Sequence, residues 1–374
     1  MRDQSNQRDW NNPKDHVLTI GVSTRALFDM EKEHEIFLEK GARAYVEYEL
    51  AHERDVLAPG PAFRLIQAFL RLNETDRLSD RQGAKGRRDS GAGRKDCMKE
   101  NGEEPIRRTE VVIMSKNSAE AALRIFHSIE HYGLDIKKAA LTTGAPIAPY
   151  LKAYHVDLYL SANEEDVRGA LDCGVAAGLI LRPEEPKQLE QSEDSAERTG
   201  AGSGVWVDGG EENGSGVQSR IAVQRGSGEE ISQIRIAFDG DAVLFSGEAE
   251  EVFRREGVEA FCRSEKEKAA QPLERGPFAN FLTAVSRLQR QYPPEEAPIR
   301  TALVTARSAP AHERVIRTLQ SWGVRIDEAF FLGGMEKKRV LQAFGAHIFF
   351  DDNEKNTREA AKVVLAVRVP GKGA

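Results

Sequence analysis

Two segments of this chain repeat each other without a gap. VIMSKNSAEAALRIFHSIEHYGLDIKKAALTTG, in the first half, matches ALVTARSAPAHERVIRTLQSWGVRIDEAFFLGG, in the second, in the order of apolar runs, helical stretch and glycines. Ser115 faces Thr305, Gly144 faces Gly334, and Ser161-Ala162-Asn163 faces Asp351-Asp352-Asn353, each pair 190 positions apart. Upstream, TIGVSTRALF corresponds to RIAFDGDAVLF, with Ser23 opposite Asp239 and Arg25 opposite Asp241. A constant offset over so many positions implies one architecture used twice.

The pattern of apolar runs says which architecture. Ile234–Phe238, Ala302–Thr305, Glu328–Leu332 and His347–Phe350 are short and lack polar alternation, as expected of parallel strands buried on both faces. Between them, RSAPAHERVIRTLQSWG and EKKRVLQAFG carry apolar residues at helical spacing and end on glycine. Strand and helix alternate in both halves, which predicts an α/β fold of two related, doubly wound Rossmann-like lobes. The expected divisions are an N-terminal tail over 1–16, a first lobe over 17–183, a polar linker over 184–233 and a second lobe over 234–374. A polar insertion, about 73–105, is read as a solvated loop, because its composition cannot repay the entropy of ordering. The charged segment at about 246–294 reads as a small helical cap. Its Phe261 and Phe278 are candidates to stack on a base, although helical periodicity favours the core for both.

Composition narrows the function. A net charge of −7 provides no basic field, so no nucleic-acid partner is expected. Cys97, Cys173 and Cys262 are isolated and form neither a disulfide framework nor a zinc site. No apolar run has the length of a membrane span and the N-terminus has no signal-peptide core, so a cytoplasmic location without membrane association is expected.

The polar residues of the repeat differ between its copies. The second carries Asp239, Asp241, Thr305, Lys337, Asp351 and Asp352 at the ends of apolar runs, the carboxyl edge where open α/β sheets place their ligands. The first carries Ser23, Arg25, Ile147, Ser161 and Ala162 at the places of the aspartates and the lysine, a set that holds no metal. The first lobe is therefore read as degenerate. In the second, hard oxygens suit Mg²⁺, supplied by Asp239 and Asp351 with a backbone carbonyl near Asp241, while Asp352 is either a further ligand or a helix cap. A fixed ammonium at Lys337, with Lys338 as the alternative, and a hydroxyl at Thr305 would surround a phosphoryl group. Asp239 is the candidate nucleophile, forming an aspartyl-phosphate, and Asp241 the candidate acid and base. Arg307 and Ser308 are candidate substrate contacts.

At these residues the chain resembles the haloacid dehalogenase-like phosphatases, whose four motifs stand here as DGDAV, LVTAR, the lysine of GGMEKKRV, and FFDD. More narrowly it resembles the cytosolic type I 5′-nucleotidase family, in HEIFLEKG, LAPGPAF, LKAYHVDLYLSA, AFDGDAVLFS, PLERGPF and HIFFDDN. The resemblance implies Mg²⁺-dependent hydrolysis of nucleoside 5′-monophosphates such as AMP, with Asp241 a metal ligand beside Asp239 and Asp351. The same motifs are compatible with another small phosphomonoester, or with a nucleotide-sensing protein. A nucleotide effector and a homo-oligomer are open as partners.

Overall fold

The computed structural model describes residues 17–83, 107–181 and 230–371. The N-terminal tail, most of the polar insertion, nearly all of the linker and Cys97 lie outside the described residues.

Ten strands are present: β1 (Leu18–Val22), β2 (Thr109–Ser115), β3 (Lys138–Leu141), β4 (Leu158–Ser161), β5 (Ala176–Ile180), β6 (Ile234–Phe238), β7 (Ile299–Thr305), β8 (Glu328–Phe331), β9 (Ile348–Asp351) and β10 (Leu365–Arg368). They form one sheet in the order β3-β2-β1-β4-β5-β10-β9-β6-β7-β8. Every pairing is parallel except β5 with β10, where Val367 faces Ile180 and Arg368 faces Leu179. Read outward from this seam, each half runs through its fifth, fourth, first, second and third strands. In each, strand order reverses beside the central strand, β1 or β6, which creates a crevice at its carboxyl end. The expected α/β fold is observed, but where two doubly wound lobes with a small sheet each were expected, the two halves share one large, mostly parallel sheet.

Eleven helices accompany the strands among the described residues: α1 (Thr24–Leu27), α2 (Glu31–Ala51), α3 (Phe63–Gly83), α4 (Leu123–His131), α5 (Ala148–Ala153), α6 (Glu164–Asp172), α7 (Glu248–Glu267), α8 (Ala279–Gln289), α9 (His312–Trp322), α10 (Lys337–Phe344) and α11 (Glu354–Ala360). The glycine stops read from the sequence hold for α9 and α10, whose C-terminal caps are Gly323 (φ 59°) and Gly345 (φ 68°). One core runs through both halves. Helix α3 reaches β6 and α8 reaches β1, so each half packs a helix against the other's central strand.

Three features depart from the sequence reading. Residues 73–83 are helical, the continuation of α3, whereas the polar insertion was expected to be loop from Asn73 onward. Once the buried turns from Phe63 to Leu72 have nucleated the helix, good helix formers such as Glu74, Arg77 and Leu78 extend it at little cost. Helix α8, expected in the cap, belongs to the core, and Phe278 at its start is fully buried against Phe238, Phe281 and Phe350, as helical periodicity favours. Within 246–294, the segment that faces the carboxyl edge is α7. Finally, β10 was not read as a strand at all, because LAVR follows directly on another apolar stretch.

The seam leaves no room for a side chain at Gly178, where a Cβ would collide with Val367 Cγ1. Gly178→Ala is therefore expected to destabilise the fold by about 1–3 kcal/mol, the usual cost of overpacking. A urea-denaturation midpoint equal to wild type would refute the close approach of β5 and β10.

Candidate active site

Strands β7, β6 and β9 are adjacent, and their carboxyl ends bring Thr305, Asp239 and Asp351 together. Asp239 follows β6 directly, and its N–H donates to the Phe350 carbonyl (2.8 Å), which ties it to β9. Gly240 comes next, because a Cβ there would lie 3.1 Å from Thr305 Oγ1. The chain then makes a wide turn closed by a hydrogen bond from Phe245 N–H to the Gly240 carbonyl (2.9 Å), with Ala242 in the left-handed region at φ 58°. In the first half the corresponding bond, Phe28 N–H to Thr24 O (2.8 Å), spans one residue fewer, and α1 is an ordinary helical turn. Compared with Ser23–Phe28, Asp239–Phe245 contains one extra residue, which produces the π-type turn. Such turns recur at functional sites.

Lys337, the first residue of α10, places Nζ 2.7 Å from Asp239 Oδ1 and 2.6 Å from Asp351 Oδ2. All three residues are buried. This geometry distinguishes Lys337 from the part-exposed Lys338. Asp351 is further held by Asn353 N–H (2.8 Å) and by the Asn356 amide (3.2 and 3.3 Å). Asp352 joins the cluster: one carboxylate oxygen each from Asp239, Asp351 and Asp352 lie within 4.8 Å of one another.

The charges in this cluster are not balanced. Burial pushes the Asp239 carboxyl well above the usual carboxylate range; Lys337 opposes the shift, while Asp351 and Asp241 reinforce it. Burial, Asp351 and Glu250 likewise push Asp352 up to about 7. Burial works against the Lys337 ammonium too, but Asp239 and Asp351 outweigh it and raise its affinity for the proton. Three carboxylates thus face one ammonium. A divalent cation with a preference for oxygen ligands fits this donor set and this excess of negative charge.

Asp241 stands outside the cluster. Its carboxylate accepts two hydrogen bonds from Arg307, from Nε (2.8 Å) and Nη2 (2.6 Å). The guanidinium also donates from Nη1 to Glu265 Oε2 on α7 (2.5 Å), and Glu265 Oε1 accepts from Arg314 Nη1 (2.7 Å). Burial disfavours the Arg307 charge, yet Asp241 and Glu265 more than compensate. The Phe261 ring lies 5.6 Å from this guanidinium, so of the two aromatic candidates Phe261 is the one beside the site. Ser308 is exposed in the loop after β7, away from the carboxylate cluster.

Glu265 and Arg314 were not foreseen. A signal existed: F-x₃-G-x₃-[YF]-x₃-E occurs at Phe37–Glu49 and again at Phe253–Glu265, at the same separation as Ser23 and Asp239.

Fold and site together define an α/β protein with a cluster of three carboxylates and a buried lysine at one sheet edge. The chain matches the family model described as 5′-nucleotidase over residues 10–198 and 216–374, and it belongs to that family. It is similar to human cytosolic 5′-nucleotidase 1B, with 33% identity over 357 residues covering 94% of this chain and 48% of the human protein. The chain thus spans about half the length of that relative. Among solved structures, histidinol dehydrogenase from Elizabethkingia anophelis aligns over 95% of this chain and 81% of its own at 10% identity, but a TM-score of 0.19 carries no argument about fold. No helix of the described residues is long and apolar enough to cross a membrane.

Two outcomes are expected. Glu265→Ala removes the buried carboxylate shared by Arg307 and Arg314 and should cost about 3 kcal/mol in a denaturation experiment, a loss that an exposed pair would not produce. Asp239→Asn should raise the thermal midpoint in EDTA at neutral pH. The Asp239 pKa is raised by folding, so its ionised form opposes the native state above the unfolded pKa, roughly 4, and the gain should vanish as pH falls through that value. An equal or lower midpoint for the variant at pH 7 would contradict this electrostatic picture.

Proposed function

We propose that the chain is a Mg²⁺-dependent 5′-nucleotidase that hydrolyses nucleoside 5′-monophosphates through an aspartyl-phosphate on Asp239. The observation that carries this reading is the buried Lys337 ammonium held between Asp239 and Asp351, beside an excess of carboxylate. Family membership and the human relative's printed activity support the choice of substrate class.

In this account an Asp239 carboxylate oxygen attacks phosphorus as the bond to the 5′ oxygen breaks. Asp241, oriented by Arg307, gives its proton to that oxygen and the nucleoside leaves. A water then attacks phosphorus, loses its proton to Asp241 and releases Asp239 and phosphate. Thr305 donates its hydroxyl to a phosphoryl oxygen, and Lys337 keeps the Asp239 carboxylate and the incoming phosphate from repelling each other. Mg²⁺, held by Asp239, Asp351 and Asp352, would neutralise charge on the phosphoryl oxygens when bound. Arg307 acts on Asp241, and α7 covers the edge to limit the access of water to the acyl phosphate. We assign catalysis to residues 234–374 and a non-catalytic role to 17–183, as the two copies of an internal repeat. The relative's printed description also motivates a cytosolic setting.

Phosphate release should be measured from a panel of nucleoside monophosphates and sugar phosphates, with Mg²⁺ and with EDTA. The expected result is metal-dependent release from nucleoside monophosphates that falls by more than about a thousandfold in Asp239→Asn. Equal release from sugar phosphates would reassign the substrate, and turnover retained by the variant would rule out the covalent route.

A further inference from the structure

A cavity of about 590 Å³ opens at the carboxyl edge of the other half-sheet, beneath α2. Its backbone frame reproduces that of the acidic site. Ser115 Oγ accepts from Asn117 N–H (3.1 Å) as Thr305 Oγ1 does from Arg307 N–H (3.2 Å). Ser161 Oγ accepts from Asn163 N–H (3.1 Å) as Asp351 Oδ1 does from Asn353 N–H (2.8 Å). Ser23 N–H donates to Leu160 O (2.9 Å) as Asp239 N–H does to Phe350 O (2.8 Å). Over the edge, α2 breaks at Gly41 (φ 80°) and α7 at Gly257 (φ 83°). Both helices carry an edge-to-face aromatic pair: Phe37 with Tyr45, centroids 6.2 Å apart at 89°, and Phe253 with Phe261, 6.0 Å apart at 88°.

Within this shared frame the reactive groups have been exchanged. Hydroxyls at Ser23 and Ser161 replace the carboxylates of Asp239 and Asp351, and Ile147 stands in place of Lys337. Among the described residues the three-carboxylate cluster is not repeated there: of the acidic side chains in the lining, Glu33 is paired with Arg124 (2.7 Å) and Asp166 with Lys116 (2.7 Å). The counterpart of Glu265 is Glu49, 1% exposed, beside the cavity-lining Tyr45; Asn117 replaces its arginine partner, and neither Glu49 oxygen makes a hydrogen bond. Its second arginine partner is kept: Arg124, the counterpart of Arg314, pairs with Glu49 at 3.8 Å and with Glu33 at 2.7 Å. A polar group buried without hydrogen bonds is costly.

The lining matches a ring-bearing phosphate ester. Ser23, Ser115 and Ser161 stand where the acidic site would hold its phosphoryl group, with Arg25, which pairs with Glu31 at 2.9 Å, and Lys116 also in the lining. Met30, Phe37 and Val46 supply an apolar wall under α2. We propose that this cavity is a second, metal-independent binding site for a nucleoside monophosphate, which it holds without hydrolysing. The ligand class rests on the reading of the acidic site as a nucleotide site; the existence of the cavity does not. Because Lys116 is already paired with Asp166 (2.7 Å) and Glu165 (3.2 Å), the phosphate must compete for it, and binding should weaken with salt.

The test is equilibrium dialysis of full-length Asp239→Asn with labelled AMP, with adenosine and inorganic phosphate as separate probes, in EDTA. The expected result is one AMP site per chain in EDTA, at least tenfold weaker for adenosine. It should be abolished by adding Ala162→Trp, which fills the cavity, while Ala162→Trp alone keeps wild-type phosphate release from AMP. Should the tryptophan variant fail to fold, Lys116→Glu is expected to weaken AMP binding at least tenfold instead. No AMP bound in EDTA, binding untouched by either cavity variant, or adenosine binding as tightly as AMP would each overturn the proposal. Catalytic failure is read separately, as absence of Mg²⁺-dependent phosphate release by the wild-type chain.

Discussion

The Lys337 ammonium is the contact on which the acidic edge depends. Asp239 and Asp351 are buried side by side at the ends of neighbouring strands, and two carboxylates so placed repel each other in surroundings that screen them poorly. One ammonium within 2.7 Å of both makes the arrangement tolerable without balancing it. The remaining negative charge favours a cation and an electrophile at the edge. Stability and reactivity thus pull in opposite directions at the same three side chains, as expected where a site is held ready for chemistry.

The sheet provides the rigidity that this contact needs. Strand β6 lies between β7 and β9, deep in a ten-stranded sheet, and the helices of each half pack across onto the other's central strand. Through Arg307, the second support of the edge runs outward to α7: Asp241, Arg307, Glu265 and Arg314 form a continuous chain of buried ion pairs. Buried ion pairs of this kind contribute little net stability but are expensive to break, so they fix geometry. The orientation of Asp241 is consequently set by the same residues that hold α7 over the edge.

The strands that deliver the site were legible because parallel strands buried on both faces are uninterrupted apolar runs, and each candidate carboxylate stood at the end of one. Thr305, Asp239, Lys337 and Asp351 meet for that reason. The partner of Asp241 was not legible as such: Arg307 was read as a substrate contact because a sequence gives no sign that a guanidinium will turn toward a carboxylate 66 positions earlier. Glu265 lay hidden in a helix whose glutamates all look alike without the matching helix of the first half. The antiparallel seam was missed because the repeat, followed as two separate units, gave no information about how their last strands would meet. The helical start of the polar insertion was missed for a different reason, since composition reports what cannot form a core and not where a helix already under way will stop.

The central claim, a covalent phosphoryl transfer to Asp239, is tested most directly by stereochemistry at phosphorus. A nucleoside 5′-phosphorothioate made chiral with oxygen isotopes, hydrolysed in water of the third isotope, gives a product whose configuration counts the displacements. Two successive in-line steps, one onto Asp239 and one by water, predict overall retention. Inversion would mean that water attacks the substrate directly, and Asp239 would then be only a metal ligand.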